Sequence, residues 1–226
     1  MKQWLCLACL LVVAAPLSAG TVWISGAATT LAVDLVNMRD ARFHGVVRQA
    51  YDFSCGAASV ATLLTYHYDD PIDERTALDG MLENADAERV QTEGFSMLDM
   101  KHFLAERGLN ADGFRAGLDA LAGTGIPAIA LITTDGYRHF VVIQGVSPDE
   151  VLVGDPALGV RVYSRAEFKR IWNGLLFLVR DNVEQASETF NRTEQWAVRT
   201  RIPYGIALQR PTVEGFTLSL PRAGDY

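Results

Sequence analysis

The segment Gln49-Ala-Tyr-Asp-Phe-Ser-Cys55-Gly-Ala-Ala-Ser-Val-Ala-Thr-Leu-Leu-Thr-Tyr66 changes character at its cysteine. Downstream of Cys55, small and apolar residues run on without a breaker. This predicts a buried helix with the cysteine in its first turn, ending before Asp69-Asp70-Pro71. A sulfur at a helix N-terminus faces the positive end of the macrodipole, which favours the nucleophilic thiolate. Gly56 is expected to leave room for a substrate chain beside the sulfur. Six residues upstream, the side-chain amide of Gln49 can donate to the oxyanion that forms when a thiolate attacks a carbonyl, with the Cys55 N–H as second donor.

Working outward, Ile72 to about Glu83 reads as a second amphipathic helix. Ser96-Met-Leu-Asp99 is a capping box with Asp in place of Glu, opening a helix to about Arg107 that Gly108 stops. The pattern then changes. Ile126–Ile132, His139–Gly145, Val151–Gly154 and Val160–Tyr163 are short apolar runs between turn clusters, as in consecutive strands of a mostly antiparallel sheet. Ser164-Arg-Ala-Glu167 caps a short helix, and Gly174–Val179 returns to strand. A helical front half and a sheet in the back half make an α+β arrangement. Residues 21 to about 44 read as an extended lead-in, and Glu184–Trp196 as an exposed helix in an appended C-terminal stretch.

Two residues of the sheet region fit the cysteine. His139 opens a strand and can reach a thiolate on the packed helix as base and then acid. Asp155, at the end of the next strand before Pro156, can accept the ring N–H of His139 and stabilise the imidazolium. His67 lies twelve residues past Cys55 on the same helix, His102 sits on an amphipathic helix, and His44 is in the lead-in. No His-x-x-x-His or paired Cys/His spacing points to a metal, and chemistry by these residues needs no cofactor.

The first twenty residues have a positive start, an apolar run from Leu5 to Ala15 and small residues at the end, the pattern of a secretory signal peptide. The run is shorter than the about 20 apolar residues a spanning helix needs. Cys6 and Cys9 fall within it, which leaves Cys55 as the one cysteine after cleavage. Loss of Lys2 takes the formal charge from −7 to −8, which argues against nucleic acid or an anionic membrane as main partner. The 226 residues, 49% of them hydrophobic, suffice for one domain with extra elements. The division read from sequence is a signal peptide at 1–20, a catalytic domain at 21–182 and an extension of unassigned role at 183–226.

Gln49-x5-Cys55-Gly56-x2-Ser59, Tyr137-Arg-His139-Phe-Val-Val-Ile143 and Gly154-Asp155-Pro156 together resemble the C39 family of bacterial cysteine peptidases, from about Val46 to Val179. The resemblance implies a papain-like fold, with Cys55, His139 and Asp155 as catalytic triad and Gln49 as oxyanion-hole partner. It also implies a polypeptide substrate, which in the best-known members is a leader cut after a double glycine. Those members are front domains of export transporters. This chain instead carries an export signal and no Gly-x4-Gly-Lys-Ser/Thr phosphate loop. In layout it is similar to the freestanding C39-like proteins of bacterial functional-amyloid secretion systems. That makes a secretion or amyloid component the expected partner and the periplasm the expected location. Two other readings keep the same residues: a papain-like acyltransferase or transglutaminase, and a peptide-binding accessory module with little or no catalysis.

Overall fold

The computed structural model describes residues 21–25, 30–34 and 41–196. Residues 1–20, read from sequence as a signal peptide, and the stretch after residue 196 lie outside the described residues. The chain divides into two compact units, Met1–Ala41 and Arg42–Tyr226. In the first, β1 (Thr21–Ser25) and β2 (Thr30–Asp34) pair antiparallel, with Thr21 opposite Asp34 and Ser25 opposite Thr30. The lead-in is therefore paired.

The second unit begins with an irregular segment and four helices: α1 (Cys55–His67), α2 (Glu74–Leu82), α3 (Ala87–Glu93) and α4 (Met97–Glu106). Helix α2 starts two residues later than Ile72, because Asp73 caps it by accepting from Thr76 N at 2.8 Å. The Ser96–Asp99 capping box forms in both directions, and Gly108 takes φ +78° just past α4.

The remainder builds a six-stranded sheet in the order β3-β8-β4-β5-β6-β7. Its strands are β3 (Ala111–Arg115), β4 (Ala128–Thr134), β5 (Tyr137–Val146), β6 (Glu150–Asp155), β7 (Gly159–Ser164) and β8 (Trp172–Val179). Every pairing is antiparallel. Helix α5 (Leu118–Thr124) joins β3 to β4, and α6 (Arg165–Ile171), opened by the Ser164–Glu167 capping box, joins β7 to β8. Three elements escape a reading by periodicity: α3, α5 and β3. Each is short, and Ala111-Asp-Gly-Phe-Arg115 pairs because β8 offers it an edge.

Alternation along the central strands divides the core. Ile129, Leu131, Phe140 and Val142 pack with α1, α2 and α4, while Ala128, Ala130, Ile132, Val141 and Ile143 pack with α5, α6 and Phe190. Helix α1 is buried over most of its length, and its Gly-Ala-Ala-Ser start lets it lie close to its neighbours.

The stretch expected as one exposed helix is instead two short ones, α7 (Val183–Ser187) and α8 (Thr193–Trp196), broken at Asn191, whose φ is +61°. The turn is docked. Asn191 N donates to Gln144 O at 2.9 Å, its side chain donates to Val146 O at 3.1 Å, and Ala186 and Phe190 are buried.

Candidate active site

The site is built from a loop, a helix start and two strand positions. The loop before Cys55 has no regular structure, yet its N–H groups are satisfied from three directions. Val47 N donates to Thr62 Oγ1 of α1 at 2.9 Å, Gln49 N to Pro156 O beyond β6 at 3.0 Å, and Ala50 N to Glu74 Oε1 of α2 at 2.8 Å. Gln144, fully buried on β5, adds a fourth tie by donating to Gly45 O at 2.8 Å. Gln49 and Cys55 therefore reach the site on a fixed path.

Cys55 is the first residue of α1 and is 6% exposed, as buried as His139. His139 and Asp155 lie on adjacent strands. Val142 pairs with Gly154, so Asp155 falls across from Val141, two residues along β5 from His139 and on the same face. His139 Nε2 is 2.8 Å from Asp155 Oδ1, and both side chains are buried. The same oxygen accepts from Ala157 N at 2.8 Å and Leu158 N at 3.1 Å.

Burial by itself would drive His139 below its ordinary value of 6.5. The hydrogen bond to Asp155, then the Cys55 side chain, outweigh burial and hold the imidazole up to about 9. Burial likewise works against the Asp155 carboxylate. The His139 bond and charge and the two backbone N–H groups overcome it and hold the carboxyl below 3.8. The imidazolium form is thus favoured, with Nε2–H given to Asp155. Its other nitrogen, Nδ1, is buried without a hydrogen bond of normal geometry, and Cys55 acts on the same ring. A proton on Nδ1 can move to or from the sulfur side while Asp155 keeps the ring oriented.

Beside Cys55 opens a cleft of ≈ 140 Å³ between Asp52–Phe53, the end of α3 with Gly94, and Tyr137–Arg138. Tyr137 crosses one side. Its ring stacks on His139 with centroids 6.0 Å apart, and its hydroxyl donates to Asp52 O at 2.6 Å. Burial, then the charge of Cys55 and Asp52, push this phenol up and keep it a donor.

All four residues singled out from sequence converge on this region. Gln49 sits in the clamped loop. Its Nε2 donates to Tyr51 O at 3.0 Å, which takes one of its two hydrogens, and its Oε1 is buried without a partner. At Gly56 the structure adds a packing requirement: a Cβ there would lie 2.9 Å from Met100 Cε and 3.1 Å from Phe95 Cβ. His44 and His102 are exposed, and His67 is buried against Thr189. Sequence reasoning missed Tyr137 and Glu74. Tyr137 stood inside a quoted motif, but Glu74 had no signal, because an acidic residue in the first turn of an amphipathic helix is unremarkable.

Residues 44–184 match the model of the Peptidase C39 family. The chain is 48% identical over 143 residues to the probable functional amyloid protease FapD of Pseudomonas aeruginosa, spanning 63% of each chain. It is 44% identical over 180 residues to the Pseudomonas fluorescens protein of the same name, spanning 79% of each. The peptidase domain of Streptococcus ComA, a bi-functional ABC transporter, superposes with a TM-score of 0.51 at 19% identity, over 59% of this chain and 96% of that one. A double glycine motif protease from an AMS/PCAT transporter, solved with a leader peptide, gives 0.50 at 26% identity, over 59% and 89%. Helices packed on an antiparallel sheet are the papain-like arrangement of these neighbours.

Proposed function

The chain belongs to the peptidase C39 family, and from that premise we propose that it is a thiol peptidase acting on an exported polypeptide, with Cys55 as nucleophile. The Cys55 thiolate attacks a peptide carbonyl carbon, and the carbonyl electron pair moves onto oxygen. The Gln49 amide and the Cys55 N–H hold that oxyanion. Its collapse breaks the C–N bond, and the His139 imidazolium passes its proton to the leaving amine. Water then attacks the thioester and gives a proton to His139, which releases the acid and restores the thiolate. Asp155 holds the ring throughout.

The observation that carries this reading is the buried His139–Asp155 pair, with Cys55 acting on the same imidazole. Extraction of a base and a carboxylate from water is costly, and such pairs concentrate where chemistry is done. The signal pattern of residues 1–20 supports export to the periplasm. No helix among the described residues is long and apolar enough to cross a membrane. Because the P. fluorescens and P. aeruginosa relatives are probable functional amyloid proteases, a component of an amyloid secretion system is the substrate to test first. A Gly-Gly junction is the first cleavage sequence to test, since one structural neighbour is a double glycine motif protease.

The deciding experiment is alkylation of Cys55 by iodoacetamide across pH, comparing wild type with His139→Ala. Fast labelling below the free-thiol pKa of about 8.5, slowed in the variant, is the expected result. Slow labelling indifferent to His139 would remove the nucleophile and leave a peptide-binding module. Incorporation of an amine without cleavage would instead make the protein an acyltransferase.

A further inference from the structure

Glu74 is a charged side chain that is 9% exposed, where carboxylates are seldom found unless paired. Among the described residues no Lys, Arg or His lies within ion-pair distance of it. It is not needed to cap α2, since Asp73 does that. What its Oε1 holds is the catalytic loop: Ala50 N at 2.8 Å and the Ser54 hydroxyl.

Both contacts bear on the oxyanion donors. Ala50 lies between Gln49 and Tyr51, and Tyr51 O receives the Gln49 amide. Ser54 is the N-cap of α1, and serine is among the strongest capping residues. Here, however, its side chain makes no cap bond. The hydroxyl lies between Glu74 Oε1 and Tyr51 O and accepts from Tyr51 N at 3.2 Å. The first-turn N–H groups of α1, which no intrahelical carbonyl satisfies, are thereby left uncapped beside the Cys55 sulfur.

Resting on the reading of Gln49 and the Cys55 N–H as oxyanion donors, we propose that Glu74 is a positioning residue for the reaction. Its carboxylate fixes Gln49 through Ala50, and it draws Ser54 away from the helix that Ser54 would otherwise cap. One acceptor thus sets one donor and frees the other. The function depends on where the acceptor atom reaches more than on its charge.

Glu74→Gln keeps an acceptor at the same reach and drops the charge, whereas Glu74→Asp keeps the charge and withdraws the acceptor by one methylene. The probe is a peptide anilide ending in Gly-Gly, whose aniline release requires an oxyanion. It is run beside iodoacetamide alkylation of Cys55, which does not. Aniline release is expected within about threefold of wild type for the Gln variant and down about tenfold or more for the Asp variant. Alkylation rates are expected to match across all three proteins.

The reverse order, with Gln impaired and Asp unaffected, would show a role through charge and overturn the inference. So would equal release by both variants, or a parallel fall in alkylation and release. If wild type itself releases no aniline, the peptidase reading falls and takes this inference with it. That outcome is distinct from any pattern among the variants.

Discussion

His139 Nε2 and Asp155 Oδ1 sit 2.8 Å apart in the interior, on strands whose register places the two residues diagonally across one hairpin. The hairpin turns at Ser147–Asp149, far from either side chain in sequence. Their meeting is therefore set by strand pairing, and the rigidity of the pair is that of the sheet.

The pair makes stability depend on pH at both ends. His139 is raised from 6.5 to about 9. Its contribution is fully present below pH 6.5 and is lost as pH rises through about 9. Asp155 is lowered from 3.8, so its contribution is present above 3.8 and is lost as pH falls through the lower folded value. Urea midpoints measured across pH are expected to fall on the alkaline side for wild type. In His139→Ala that alkaline loss is expected to shrink, and turnover to drop by about 10²–10⁴.

Gln49→Ala is expected to lower turnover by about 10²–10³ with no change in iodoacetamide labelling, because alkylation develops no oxyanion. Turnover and labelling rates on one preparation check this. Unchanged turnover would remove Gln49 from the site.

Tyr137→Phe keeps the ring over His139 and deletes the donor to Asp52 O, a bond of about 1 kcal/mol net. The tie across the cleft should loosen, and labelling of Cys55 by a bulky maleimide should quicken more than labelling by iodoacetamide. A ratio of the two rates equal to that of wild type would show that Tyr137 does not restrict the cleft.

His67 predicts acid lability of a different origin. Thr189 gives its proton to Ala186 O, so His67 Nδ1 is the donor across their 2.7 Å contact, and Nε2 is buried with no partner. Burial, then the Arg192 charge, lower this histidine to about 4. Its neutral form is favoured in the fold, so stability is intact above pH 6.5 and is lost as pH falls toward 4. His67→Asn, which preserves a donor to Thr189, is expected to flatten the drop in urea midpoint between pH 6.5 and pH 5.

Sequence patterning by itself determined the elements that repeat or punctuate: the helix beginning at Cys55, the capping boxes at Ser96 and Ser164, and the apolar strands. It also marked Cys55, His139 and Asp155, which stand at or near the ends of a helix and two strands, and Gln49, which stands at a fixed spacing before the cysteine. Tertiary structure decided what depends on partners distant in the chain. Ala111–Arg115 became a strand because β8 was there to pair it. Gly56 is glycine because Met100 and Phe95 crowd it. Glu74 became part of the site because Ala50 and Ser54, more than twenty positions away on average, come to its carboxylate. Periodicity reports which face of an element is buried, but carries nothing about which residue waits on the other side.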